Sequence, residues 1–178
     1  IYFSGSFAKT YKGHGTDKAI VAGILGMDTD DPGIKYSFET AEHRGLEFAF
    51  HTGEIENAHP NTAFIVLTSE SGKTVEVQGA SVGGGNIVIT KINGTEVEIT
   101  GKITTMIVLH RNIPGMISDV TRVLAQNGIN IGKFDLRRNP RGGKGVMIIE
   151  LDSDVPEYVN DEIKEMDNVI DSTLLKAI

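Results

Sequence analysis

Cysteine is absent from all 178 residues, which excludes disulfides, thiolate zinc sites and any iron–sulfur cluster ligated within the chain. No apolar run approaches membrane length and no signal-peptide pattern is present, so a cytoplasmic location is expected. A basic excess is lacking too. Lys and Arg number 17 against 24 Asp and Glu, a net charge of -7, so neither nucleic acid nor an anionic membrane is an expected partner. No Gly-x-Gly-x-x-Gly follows a strand, which leaves a dinucleotide domain unsupported. The histidines (14, 43, 51, 59, 110) show no metal-ligand spacing, and no metal site is expected. There is neither an internal repeat nor a low-complexity tract. An initiator Met is also missing: the chain opens Ile1-Tyr2-Phe3 inside what reads as a strand, as in a fragment or processed product.

What is present is an ordinary globular composition, 39% hydrophobic and 23% charged, on a chain long enough for two modest cores. Ile1 to Phe7 reads as a short strand running into a polar loop from Lys9 to Asp17. Thr16 or Asp17 can cap a helix whose apolar face is Ile20, Val21, Ile24 and Leu25. Asp30-Asp31-Pro32 starts a second helix, carried by Ile34, Phe38 and Ala41 to a stop at Gly45. Leu46 to His51 alternates as a strand. So do Thr62 to Thr68, Thr74 to Ala80, Asn86 to Lys91 and Glu96 to Thr100, with a hairpin turn at Asn93-Gly94. The Gly101-Lys102 step is the expected boundary between domains 1–101 and 102–178. Beyond it the order is strand Thr104 to Leu109, helix Gly115 to Asn127, strand Ile131 to Arg138 and strand Gly145 to Leu151. Helix Pro156 to Met166 and strand Val169 to Leu175 follow, and the loop Asn139-Pro140-Arg141-Gly142-Gly143 closes the central hairpin. That βαββαβ order is ferredoxin-like. The expected fold class is α+β: two helices on a mostly antiparallel sheet, then a ferredoxin-like domain.

Four segments carry possible chemistry. Gly13-His14-Gly15-Thr16-Asp17 sets an imidazole, a hydroxyl and a carboxylate at a helix start, suited to binding a carboxylate or moving a proton. It also reads as a glycine-rich turn with a helix cap. His59-Pro60-Asn61-Thr62 can aim His59 and Asn61 from a loop that Pro60 stiffens, or it is a turn into a strand. Ser81-Val82-Gly83-Gly84-Gly85 lets the backbone approach another chain or a small anion, or is a flexible hairpin. In the last third, His110, Asn112, Ile113, Pro114, Gly115 and Met116 lead from an apolar run into a helix, and Asn130-Ile131 follows it. First-turn N–H groups can accept a carboxylate there, and the two Asn amides suit an amino acid's charged ends.

This last segment resembles the ligand corner of an ACT domain, and His110, Asn112, Pro114, Gly115 and Asn130 match the pattern of serine-binding members. Ile113 departs from it, standing where a polar residue is frequent. The ordered series Ser4 to Asp17, His59 to Thr62 and Ser81 to Gly85 resembles, over essentially the whole chain, the beta subunit of bacterial iron–sulfur-dependent L-serine dehydratase. The resemblance implies an N-terminal domain like the allosteric substrate-binding domain of some phosphoglycerate dehydrogenases. It implies deamination of L-serine to pyruvate and ammonia with an alpha subunit that holds a [4Fe–4S] cluster, without pyridoxal phosphate. It puts His14, Thr16, Asp17, His59 and Asn61 on the face toward that subunit, and Ser81, Gly83, Gly84 and Gly85 in a loop or interface. It makes L-serine the expected effector at His110, Asn112, Ile113, Pro114, Gly115, Met116, Asn130 and Ile131, and a homodimer through the ACT domain the expected assembly. The family's Gly-Pro-Ser-Ser-Ser-His-Thr opening segment does not occur here, so the fragment alone is expected to be inactive. The alternative is a stand-alone amino-acid-binding regulatory or dimerisation module, such as a dehydrogenase's regulatory tail.

Overall fold

A computed structural model describes residues 1–138 and 143–177; most of the expected hairpin loop Asn139 to Gly143 lies outside the described residues. Chain compactness divides the protein into two units, Ile1–Gly85 and Asn86–Ile178.

The first unit begins with β1 (Tyr2–Phe3), α1 (Gly5–Thr10) and α2 (Thr16–Ile24). A 3-10 helix, Pro32–Tyr36, leads into α3 (Ser37–His43). Then come β2 (His51–Thr52), β3 (Thr62–Thr68) and β4 (Thr74–Gly83), in the sheet order β2-β1-β3-β4. β1 runs parallel to β2 and antiparallel to β3, and β3 pairs antiparallel with β4 from Thr62↔Ala80 to Thr68↔Thr74. Aromatic rings build the core on one face: Phe3 is fully buried and stacks 4.5 Å from Tyr11, with Phe7 and Phe50 on its other sides. Phe38 and Phe48 extend the cluster through Phe50.

Two elements differ from the expectation. Gly5 to Thr10, read as strand end and loop, is a helix. Six residues carry too little periodicity to announce one, and this helix starts because a distant carbonyl caps it. Ser6 N–H (2.6 Å) and Phe7 N–H (3.3 Å) both donate to the Pro60 oxygen. Leu46 to Phe50 is not a ladder strand, and only His51–Thr52 pairs, because β1 offers just two residues to pair with. Phe48 and Phe50 nevertheless supply core rings, which is the alternation the sequence displayed.

The second unit carries β5 (Asn86–Ile92), β6 (Thr95–Ile99), β7 (Thr105–Arg111), α4 (Met116–Gln126), β8 (Ile131–Arg138), β9 (Lys144–Leu151), α5 (Glu157–Lys164) and β10 (Val169–Leu175). The last four strands form an antiparallel sheet in the order β10-β7-β9-β8, as a ferredoxin-like βαββαβ chain demands. One sheet face packs on α4 and α5 through Met106, Val108, Val120, Leu124, Met147, Ile149, Val159 and Ile163. The other face presents Ile107, Val146 and Ile148 to Val97 and Ile99 of the β5–β6 hairpin. The Gly101-Lys102 step, expected as a boundary, falls within this second compact unit.

Gly5 is where the first unit is least tolerant. Its φ is +58°, and a Cβ there would lie 2.6 Å from the Pro60 oxygen. Gly15 is similarly left-handed at +69° but has open space around it. Gly15→Ala is expected to cost about 1–2 kcal/mol for the backbone alone, and Gly5→Ala measurably more. Urea unfolding of the two variants checks this; equal midpoints would mean the Pro60 carbonyl gives way freely.

Candidate functional site

The sequence spreads its polar motifs over eighty residues, and α1 gathers them. At its N-terminus, Ser4 N–H donates to the Thr62 carbonyl at 3.0 Å, and the Pro60 carbonyl takes the N–H groups of Ser6 and Phe7. The Ser4 hydroxyl does not cap the helix; it accepts the Ile55 N–H at 3.0 Å and pins the Gly53–Ile55 segment. Ser81 N–H donates to the Asn61 carbonyl at 3.0 Å, which draws the end of β4 to the same place. Ser4–Ser6, His59–Thr62 and Ser81 thus converge. Gly83, Gly84 and Gly85, all left-handed, turn the chain just beyond Ser81.

The His59 side chain is exposed and its Nδ1 accepts the Asn61 N–H at 3.1 Å. That bond fixes the neutral ring's proton on Nε2, so His59 faces outward as a donor. Asn61 is half-buried. Thr62 is 1% exposed, and its hydroxyl has no hydrogen-bond partner among the described residues.

At the other end of α1, the turn from Tyr11 to Gly15 is wound tightly. His14 N–H donates to the Thr10 carbonyl (3.0 Å) and Thr16 N–H to the Tyr11 carbonyl (2.9 Å), while the Tyr11 ring is held against Phe3. Gly15 in the left-handed region starts α2 without a side-chain cap. His14 is exposed and its imidazole makes no hydrogen bond to a described residue; Thr16 is half-buried. Asp17 is 8% exposed and accepts the Lys18 N–H at 2.9 Å, so its carboxylate sits where the first turn of α2 favours negative charge. The two loops stand at opposite ends of a six-residue helix, roughly 9 Å apart at about 1.5 Å per residue.

A feature the sequence did not flag lies on the same unit. Tyr2, Gly53, Glu54, Ile55, Phe64, Val66 and Gln78 line an open, mainly apolar groove of about 450 Å³. Its walls come from four segments, β1, residues 53–55, β3 and β4, and only the strand alternation of Phe64 and Val66 hinted at a shared face.

In the second unit, His110 is the penultimate residue of β7 and is 2% exposed. Its Nδ1 lies 2.7 Å from the Arg111 carbonyl, and its Nε2 is buried without a partner among the described residues. Gly145, opposite on β9, makes the room: a Cβ there would lie 2.7 Å from Nε2. Asn112 and Ile113 are exposed; their N–H groups donate to the Gly143 carbonyl (3.1 Å) and the Arg111 carbonyl (2.9 Å). Pro114 precedes the helix rather than opening it, because left-handed Gly115 is the N-cap and Met116, buried in the core, is the first helical residue. No side chain caps α4.

Asn130 sits elsewhere. His110 pairs with Gly145, whereas Ile131 pairs with Leu151, six residues along the same strand. At about 3.3 Å per residue the two ends lie roughly 20 Å apart. Within one copy the structure groups His110, Asn112, Ile113, Pro114 and Gly115 but does not bring Asn130 or Ile131 to them. The Asn130 amide is instead bonded to the Asp152 carboxylate.

Known proteins agree with both halves. Residues 106–171 match the family model described as the AHAS small subunit-like ACT domain. A protein of Bacillus subtilis named as a probable L-serine dehydratase, beta chain, is 40% identical over 173 residues, covering 97% of this chain and 78% of that one. The L-serine dehydratase beta chain of Peptoniphilus asaccharolyticus is 38% identical over 160 residues, 89% of this chain and 72% of its own. A D-3-phosphoglycerate dehydrogenase of Methanocaldococcus jannaschii shares 35% over 112 residues, 62% of this chain but 21% of its own. Convergent loops around α1, an antiparallel βαββαβ unit and this breadth of identity lead to one conclusion: the chain belongs to the family of L-serine dehydratase beta chains and carries an ACT-like domain.

Proposed function

We propose that this beta chain completes the active site of an L-serine dehydratase together with an alpha subunit, in the cytoplasm, and that its ACT-like unit binds L-serine as a regulator. The observation that carries the reading is the convergence of Ser4–Ser6, His59–Thr62 and Ser81 at one end of α1, with His14 at the other. A sensor or a dimerisation unit needs no such arrangement. The reaction would remove water from L-serine, and the aminoacrylate released would hydrolyse to pyruvate and ammonia.

The residues divide the work by what their atoms have free. His59 has its Nδ1 occupied by the Asn61 N–H, so its neutral ring can only donate, toward a substrate carboxylate or hydroxyl. His14 has both ring nitrogens uncommitted and can accept a proton or orient the substrate. Thr16 and Asp17 sit beside it at the start of α2. The donor set does not fit an iron–sulfur cluster. There is no cysteine, and no metal-binding group of three His, Asp or Glu gathers among the described residues. The cluster, and the Lewis acidity it supplies, belong in this proposal to the alpha subunit. Pyridoxal phosphate has no part in it.

For regulation, the carboxylate of L-serine would meet the uncapped first turn of α4 beside Asn112. Because Asn130 lies about 20 Å away along the sheet, a ligand touching both needs two copies, so a homodimer through this unit is part of the proposal. The second reading, an amino-acid-sensing module, draws on the phosphoglycerate dehydrogenase similarity, and it leaves the α1 loops unexplained.

Two substitutions test these assignments. His14→Ala should abolish or sharply lower serine turnover in the assembled enzyme while the circular dichroism of the chain stays unchanged; normal turnover would remove His14 from the active site. Asn112→Ala should weaken L-serine binding by about 1–3 kcal/mol, the loss of a partner to a charged group. Calorimetric titration with L-serine, with D-serine and glycine as controls, reads this directly, and unaltered affinity would sink the regulatory site.

A further inference from the structure

Asn130 opens β8 at an irregularity in the ladder. Ile131 pairs with Leu151 and Lys133 with Glu150, so Gly132 between them is the extra residue of a bulge. The bulge brings Asp152 over the strand. Asp152 N–H donates to the Asn130 carbonyl at 3.3 Å, and the Asn130 Nδ2 donates to Asp152 Oδ2. The amide can stand only one way round there, because the flipped amide would set Oδ1 against a carboxylate oxygen. Gly132 keeps the space clear: a Cβ on it would lie 2.5 Å from Asp152 Oδ1.

Charge completes the picture. The neighbouring Glu150 carboxylate is matched by Lys133 at 3.4 Å, whereas Asp152 makes no ion pair among the described residues. Asn130 and Asp152 are both exposed, so their pairing contributes little to fold stability. It presents an amide oxygen, fixed in orientation, beside an unneutralised carboxylate. The oriented amide oxygen is the acceptor suited to an ammonium group, and the carboxylate holds it in place.

We propose that Asp152 is the positioning residue of the effector site: it orients Asn130 so that the amide Oδ1 receives the α-ammonium of the amino acid, and Gly132 is the gap that lets it do so. This rests on the reading that the ACT-like unit binds L-serine. The site is then polarised, with the carboxylate taken at the α4 end of one copy and the ammonium at the Asn130 end of another. A ligand with both charges is selected over either charge alone.

The test is calorimetric titration of the full chain with L-serine, run on wild type, Asp152→Ala, Asp152→Asn and Gly132→Ala, with thermal unfolding alongside. Asp152→Ala should bind at least tenfold more weakly with its unfolding midpoint unchanged. Gly132→Ala should weaken binding in the same direction, because it displaces the carboxylate without removing it. Asp152→Asn, whose amide oxygen can still accept from Asn130, should recover most of the affinity. Wild-type affinity in both Asp152→Ala and Gly132→Ala would overturn the proposal. So would an Asp152→Asn protein no better than Asp152→Ala, which would make charge, not orientation, the whole effect. If the wild-type chain itself takes no L-serine, the effector reading fails, and this proposal falls with it.

Discussion

One carbonyl holds the first unit's chemistry together. The Pro60 oxygen receives two N–H groups at the start of α1, and it can do so only because Gly5 has no side chain to fill the gap. Three consequences follow from that joint. The helix exists at all, although six residues would not sustain one in water. The His59–Thr62 loop is fixed against Ser4–Ser6. And the Ser6 and Phe7 N–H groups are committed to it, so the chemistry at that end rests on side chains, namely His59 and the half-buried Asn61.

The buried polar atoms are informative in the same way. A buried hydroxyl or imidazole nitrogen without a partner is costly, commonly about 1–3 kcal/mol. Among the described residues Thr62 and His110 each carry one, in different units. Both lie within segments singled out for their chemistry rather than for packing. Between α5 and the sheet, by contrast, the buried polar side chains are paired: the Ser172 hydroxyl donates to Asn160 Oδ1 at 2.8 Å.

Legibility in the sequence followed the source of each element's stability. β8 and β10 run over the residues their alternation predicted, because each is a strand of a continuous sheet with one face on a core. The Pro32 start and the Gly45 stop were readable from local capping and turn chemistry; the helix at Thr16 was readable from its apolar spacing, but Gly15, not Thr16 or Asp17, is its N-cap. The helix Gly5–Thr10 was not, since what ends its disorder is a residue fifty-odd positions away, and no local pattern encodes that. For the same reason Asn130 read as a free amide: its partner Asp152 comes after a full hairpin. The polar motifs themselves were visible as residue types. Their grouping, one set at each end of α1, required the fold, as did the separation of Asn130 from Asn112, which only strand register reveals.

The hairpin β5–β6 has one more effect. By covering Ile107, Val146 and Ile148 it leaves the four-stranded sheet with an apolar layer on each side, α4 and α5 on one and the hairpin on the other. The edge strands are β8 and β10; Lys133 and Arg137 of β8 stay exposed, and the backbone open to pairing lies along those rims. Any copy that joins this unit through main-chain hydrogen bonds must therefore arrive sideways, in the plane of the sheet, and would lengthen it rather than thicken it.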